Sequence, residues 1–66
     1  MLYTVQMREY AIKVSSFLTR LYVDGEAASV ILAAGKSLLE IYGFDVSKMA
    51  IVFLDDMVTI LPKDNL

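Results

Sequence analysis

The stretch "SVILAAGKSLLEIYG", residues 29–43, decides how the chain can fold, because it is apolar around most of a helical circumference. When the helical spacing is extended back to residue 26, the polar side is one narrow strip, which consists of Glu26, Ser29, Ala33, Lys36 and Glu40. A helix with so little polar surface is expected to be buried on more than one side. The sequence therefore predicts a central helix over residues 26–42, ended by Gly43.

The same stretch contains Gly35-Lys36-Ser37, which matches the end of a phosphate-binding loop. The full motif needs a second glycine five positions before Gly35, and it must follow a strand and open a helix. Position 30 is valine, and Gly35 falls in the middle of the helical pattern. We interpret Ala33, Ala34 and Gly35 instead as a close-packing notch of small residues, and we expect no nucleotide or other cofactor.

Residues 3–23 carry the clearest helical periodicity. Apolar side chains recur at alternating intervals of four and three positions, namely Tyr3, Met7, Tyr10, Val14, Phe17 and Leu21. This spacing draws one stripe along a helix. Because β-branched and aromatic residues are frequent here, a strand pair over residues 2–23 that turns at Ser15-Ser16 stays open as the alternative, with a ββαββ fold. The periodicity favours a helix over residues 3–23.

Turn residues divide the rest of the chain. Asp24-Gly25 ends the first helix, and Asp24 is a candidate N-cap of the second. Two short strands are predicted at residues 49–54 and 57–61, on either side of Asp55-Asp56. Pro62 ends the second strand, and residues 63–66 form a tail that we expect to be frayed. The prediction is one α+β domain over residues 1–66, a two-helix hairpin followed by an antiparallel β-hairpin (ααββ).

The side chains of the predicted β-hairpin are apolar on both faces. A two-residue turn sorts Ala50, Val52, Leu54, Met57, Thr59 and Leu61 onto one face, and Met49, Ile51, Phe53, Val58 and Ile60 onto the other. A hairpin with one solvated face would alternate apolar and polar residues. Two helices can cover one face, so we expect the second face to meet a partner. The residues assigned to this self-association are Met49, Ile51, Phe53, Val58 and Ile60.

Composition also points to association. The chain has 66 residues, of which 58% are hydrophobic, and its mean hydropathy is +0.59. So small a domain leaves a large share of its apolar surface exposed. The sequence contains no cysteine and no histidine, which excludes disulfides and metal sites built on thiolate or imidazole ligands. We therefore expect dimerisation, or binding to a larger protein, to complete the fold.

The number and distribution of charged residues argue against nucleic-acid binding and against a membrane-spanning helix. The net charge is −2, and the six basic residues are dispersed along the chain, whereas nucleic-acid binding requires a basic footprint. Charged side chains interrupt every apolar run before it reaches the ~18 residues of a membrane-spanning helix. They also interrupt any secretory signal at the amino terminus. The sequence predicts a cytoplasmic protein.

Catalytic chemistry is not expected. The adjacent acids Asp55 and Asp56 are accounted for by a turn, and Asp24 and Glu26 by a helix boundary. The serines and threonines have no histidine to activate them. We expect no metal site, no cofactor and no enzymatic activity.

Two function hypotheses remain. The first is a non-catalytic protein–protein interaction module, either a small homo-oligomer or an inhibitor or adaptor that binds a larger protein, with a phage or mobile element as a candidate source of the gene. The alternative is a small dimeric DNA-associated transcriptional regulator, in which the two helices and a dimerising hairpin suit the geometry. Lys36 would be the only basic residue on the second helix, which weakens this alternative.

Overall fold

The computed structural model describes residues 5–65. Helix α1 spans Val5–Val23 and helix α2 spans Ala28–Ile41, followed by strands β1, Met49–Phe53, and β2, Val58–Pro62. The predicted α+β fold in the order ααββ is confirmed. The ββαββ alternative is wrong, because Ser15 and Ser16 lie inside α1. The predicted start of the first helix at position 3 lies outside the described residues, as does position 66.

Short 3₁₀ turns flank the sheet. One at Val46–Lys48 leads into β1, and one at Lys63–Asn65 follows β2, where we had predicted a frayed tail. The first turn begins at Asp45, whose carboxylate accepts hydrogen bonds from the Ser47 hydroxyl and the Ser47 backbone N–H. These two bonds hold the pKa of Asp45 below its ordinary value.

Glycine ends both helices. Gly25 and Gly43 each have φ of +89°, a conformation that residues with a side chain rarely adopt. At the end of α1, the Gly25 N–H donates to the Tyr22 carbonyl and the Glu26 N–H donates to the Leu21 carbonyl. This pair of bonds is a Schellman motif, which satisfies carbonyl groups that have no partner within the helix.

The end of α2 repeats the motif with an apolar contact. The Gly43 N–H donates to the Glu40 carbonyl, and the Phe44 N–H donates to the Leu39 carbonyl at 2.9 Å. Both Phe44 and Leu39 are buried. The motif therefore directs the chain out of α2 and into the core before β1 begins.

Helix α2 begins later than predicted. Its first residue is Ala28, and its N-cap is Ala27, which has no side chain able to cap the helix. Glu26 lies before the N-cap of α2, and its N–H is part of the Schellman motif that ends α1. Asp24 does not cap α2, as we had expected. Its carboxylate lies 3.6 Å from Arg20 Nε, one turn back in α1.

Strands β1 and β2 pair in the predicted register. Val52 lies opposite Thr59, and the Leu54 N–H donates to the Met57 carbonyl at 2.8 Å, so Asp55-Asp56 forms the two-residue turn. Hydrogen-bonded and non-hydrogen-bonded pairs alternate along the ladder from this point. Pro62 therefore falls in a non-hydrogen-bonded pair with Met49, where its missing N–H removes no ladder bond.

The two helices lie antiparallel over one face of the sheet. Tyr10 of α1 stacks on Tyr42 of α2 with ring centroids 4.6 Å apart, and Tyr22 meets Phe53 of β1 edge-on at 5.7 Å. The buried core between the layers consists of Ala11, Val14, Leu18, Ile31, Leu39, Phe44, Met49, Val58 and Ile60. It includes residues from both helices and both strands, so one core holds all four elements together.

Gly35 lies where three of these elements meet. A Cβ atom at this position would be 2.6 Å from Ile51 Cδ1 and 2.9 Å from Leu18 Cδ1. Gly35 is buried and Ala34 is half-buried, but Ala33 is exposed. The predicted notch of Ala33, Ala34 and Gly35 is therefore corrected to Gly35 with Ala34 beside it, and it accepts side chains of the same chain.

Helix α2 is buried on one side only within the chain. Ile31, Gly35 and Leu39 form its buried stripe, whereas Val30 is 46% exposed and Ile41 is 77% exposed. The expected burial on more than one side is not reached in a single copy. The reason is that the fold has two layers, and no described residue covers the outward side of α2.

The contact between Gly35 and Ile51 can be tested by substituting the two residues singly and together. We expect Gly35→Ala to lower the free energy of unfolding by about 1 kcal/mol, since overpacking costs about 1–3 kcal/mol and the gain in helix propensity returns about 1 kcal/mol. Ile51→Val deletes the Cδ1 methyl group that the new Cβ would meet. Gly35→Ala should therefore cost less in the Ile51→Val background. Urea unfolding of the four proteins measures this coupling, and strictly additive effects would contradict it.

Candidate interaction surface

The inner sheet face is formed by Met49, Ile51, Phe53, Val58 and Ile60 and is covered by the chain's own helices. Val58 is fully buried, and Met49 and Ile60 are nearly so. Ile51 enters the space above Gly35, and Phe53 packs on Tyr22. This set was assigned to self-association, and the structure requires a correction. In the folded chain Met49, Val58 and Ile60 belong to the core, and Ile51 and Phe53 are half-buried beside it, so this face is covered by the chain's own helices and cannot receive a partner as a whole.

The outer sheet face consists of Ala50, Val52, Leu54, Met57, Thr59 and Leu61, and neither helix of the described residues covers it. Leu54 is 46% exposed and Met57 is 38% exposed, and they lie opposite each other next to the turn. The other members are half-buried by their neighbours. Thr59 is the only polar side chain among them. The chain therefore presents an apolar strand surface to solvent.

A groove between α1 and β2 extends this surface. Its volume is about 820 Å³, and Met57, Thr59 and Leu61 contribute to its lining together with Ile12 of α1. Ile12 is 56% exposed, so the apolar surface continues from the sheet onto the helix. Charged groups on the groove lining come from Arg8 and Asp64.

Helix α1 closes one edge of the sheet through hydroxyl groups. The Val58 N–H donates to Thr19 Oγ1 at 3.0 Å, and the Val58 carbonyl accepts from the hydroxyls of Thr19 and Ser15. These groups point away from β1, because Val58 is in a non-hydrogen-bonded pair with Phe53. We call this arrangement the Val58 clamp. Pro62, which has no N–H, ends the same edge, so the β2 edge offers little to an incoming strand.

The opposite edge of the sheet, along β1, is open. Ile51 and Phe53 are in non-hydrogen-bonded pairs, so their backbone N–H and C=O groups point away from β2. Within residues 5–65, neither residue makes a hydrogen bond on that side. The Met49 N–H is already bonded to the Val46 carbonyl at the start of the strand. The β1 edge thus presents unpaired backbone groups.

A second apolar surface lies on the helical layer. Val30 and Ile41 of α2 are exposed there, and Phe17 of α1 is 49% exposed. Phe17 also lines a shallow cavity of about 220 Å³ with Leu38 and three further residues of the two helices, Lys13, Val14 and Tyr42. Ser37 lies on α2 between Val30 and Ile41 at helical spacing, so this surface is less continuous than the outer sheet face.

The acidic residues do not assemble into a metal centre in the part of the chain that the structure describes. No three side chains of the Asp, Glu, His and Cys types come together among these residues. Asp55 and Asp56 are exposed in the turn. Neither described helix combines the length and the apolar character that crossing a membrane requires.

Comparison with protein-family models, with curated proteins and with solved structures finds no match to this chain. Its function is therefore inferred from its own geometry and charge.

Sequence reasoning missed the Val58 clamp and placed the association surface on the inner face. Ser15 and Thr19 are four residues apart, so they share one side of α1 next to the buried stripe. That spacing was the available signal for the clamp. The choice between the two hairpin faces had no such signal, because both are apolar.

The Val58 clamp can be tested by removing its hydroxyls. Thr19→Val should lower the free energy of unfolding by about 1–3 kcal/mol, because the buried Val58 N–H loses its acceptor. Ser15→Ala should cost less, about 0.5–1.5 kcal/mol, since the Val58 carbonyl keeps the Thr19 hydroxyl.

Ser16→Ala is the matched control for the clamp variants, because Ser16 is exposed and its side-chain hydroxyl makes no hydrogen bond within the described residues. Its effect should stay within about 0.5 kcal/mol. Urea unfolding ranks the three variants, and equal costs for Thr19→Val and Ser16→Ala would contradict the clamp.

Proposed function

We propose that the chain is a non-catalytic protein–protein interaction module that binds its partner through the outer sheet face. The observation that carries this proposal is the exposure of apolar strand residues, above all Leu54 and Met57, on the face that the helices leave uncovered. Continuous exposed apolar surface is characteristic of interaction sites. The same surface continues across the groove to Ile12.

The composition of this surface suits a protein partner. Apolar side chains occupy its centre, and charged groups lie around it, with Arg8 and Asp64 at the groove and Asp55 and Asp56 at the turn. Protein interfaces combine an apolar centre with a polar rim in this way. Each Å² of apolar surface that a partner covers contributes about 25 cal/mol before the costs of association.

Several features support a role without catalysis. The sequence contains no histidine or cysteine that could act as base or thiol nucleophile. The hydroxyls of Ser15 and Thr19 are engaged in the Val58 clamp, which gives them a structural role. The carboxylates of Asp24 and Asp45 bond to Arg20 and Ser47 at helix and turn boundaries.

The DNA-associated regulator remains second. Lys36 is the only basic residue of α2, and Glu40 lies one turn away on the same exposed side. A helix that enters a DNA groove needs several basic contacts to the phosphates.

The proposal is tested by charging the outer sheet face. The double variant Leu54→Lys and Met57→Lys places two ammonium groups where a partner would exclude water, and it should weaken any association at least about tenfold. The control variant Ile41→Lys makes the same type of change at a position that is 77% exposed on the helical layer. It should bind as the unsubstituted chain does.

Two readouts apply to these variants. Light scattering over a concentration series measures self-association, and cross-linking to proteins of the native source identifies other partners. Circular dichroism checks that both variants are folded. The proposal fails if the Leu54 and Met57 variant retains every contact of the unsubstituted chain.

A further inference from the structure

We propose that a second copy of this chain adds to the open edge of β1 in antiparallel orientation. This inference rests on the proposed function, because the paired chains would present their two outer sheet faces as one joined interaction surface. The two hairpins would join into one sheet in the order β2, β1, β1, β2. The helices of both copies would remain on the same side of that sheet, and the two outer sheet faces would become continuous.

The backbone of β1 is suited to pairing with itself. Its unpaired groups belong to Ile51 and Phe53, together with the Met49 carbonyl, and they all point outward along one edge. With Ile51 on the two-fold axis, Ile51 pairs with Ile51 of the second copy. The Phe53 N–H of each copy then faces the Met49 carbonyl of the other. This register provides partners for both N–H groups that lack them.

The charges at the two ends of β1 determine the orientation. Lys48 precedes the strand, whereas Asp55 and Asp56 follow it, and all three are exposed. Among the described residues, none of the three makes a salt bridge, although Lys48 lies near enough to Asp45 to help lower the pKa of that carboxyl. Antiparallel pairing about Ile51 places Lys48 opposite Leu54 of the second copy, beside its Asp55. Parallel pairing would place Lys48 against Lys48 and the acids against the acids, which is repulsive.

This charge pattern favours a second copy over an unrelated strand. Any extended peptide could bond to the free backbone groups of an edge. The self-paired edge adds two symmetric attractions between Lys48 and the acidic turn, and each copy supplies both halves of the pattern. The side chains brought together are Ala50 against Val52 on the outer face and Ile51 against Ile51 on the inner face, with no charge between them.

The edge of β1 also lacks the features that prevent strand addition. Exposed edges are usually protected by charged side chains, proline or a bulge. The strand Met49–Phe53 has none of these, and it pairs with β2 without interruption. The other edge, along β2, is protected from strand addition by the Val58 clamp and Pro62. The sheet is therefore blocked on one side and open on the other.

Cysteine cross-linking tests the register directly, because the natural chain contains no cysteine. The register places position 50 of one copy opposite position 52 of the other, in a non-hydrogen-bonded pair with Cα atoms about 4.5 Å apart. This separation permits a disulfide, whereas positions 50 and 50, or 52 and 52, lie too far apart diagonally. A mixture of full-length Ala50→Cys and Val52→Cys chains should give about tenfold more mixed disulfide than either variant gives alone.

A charge exchange provides an independent test that leaves the outer sheet face intact. Lys48→Glu in one chain, and Asp55→Lys with Asp56→Lys in another, should each weaken self-association about tenfold at low salt. Mixing the two variants restores attraction at both ends, so native mass spectrometry should show the mixed dimer as the main dimer. The preference should shrink at 1 M salt because of screening.

The outcomes separate this inference from the proposed function. A dimer that forms the mixed disulfide and shows the charge preference supports pairing at the β1 edge. A dimer without the mixed disulfide, lost in the Leu54 and Met57 variant, overturns the edge pairing but keeps the outer sheet face as the interface. A strict monomer at millimolar concentration also overturns the inference, and the module would then require a different protein as its partner.

Discussion

The close approach of Ile51 and Leu18 to Gly35 is the contact on which the rest of the structure depends. It brings one residue from β1 and one from α1 to a position on α2 where any Cβ atom would collide with both. Leu18 is fully buried at this point, and the buried stripe of α2 continues on either side through Ile31 and Leu39. Both contacting atoms are side-chain ends, so a methyl group added at Gly35 would displace them at a cost of about 1 kcal/mol. The glycine of a partial phosphate-loop motif is thus a packing residue.

This close packing also explains why the sheet differs on its two faces. Helices α1 and α2 pack over the inner face, so its apolar residues are buried or half-buried within one chain. The outer face is equally apolar but has no second layer among the described residues, because both described helices lie on the inner side of the sheet. A small domain with this imbalance gains stability when a partner covers the remaining surface.

The two edges of the sheet differ for a related reason. Helix α1 packs beside β2, and this places the hydroxyls of Ser15 and Thr19 where they bond to Val58. No described element donates or accepts hydrogen bonds along the edge of β1, so Ile51 and Phe53 keep unpaired backbone groups. The packing of α1 against β2 thus leaves the other edge of the sheet open. Unpaired strand edges attract further strands. Pairing at this edge would provide partners for the backbone groups, and the joined outer faces would remain available to a further partner.

Local sequence patterns predict the order of the elements, the hairpin register and the C-terminal ends of both helices. These depend on local physics, namely helical spacing in residues 5–23, the Asp55-Asp56 turn, and the positive φ that Gly25 and Gly43 accept. Which face of the hairpin is buried follows from tertiary contacts, because both faces are apolar and alternation cannot rank them. The same contacts bring Ile51 to Gly35 and Thr19 to Val58. These residues are distant in the chain, and the spacing of Ser15 and Thr19 indicates a shared side of α1 without indicating what that side meets.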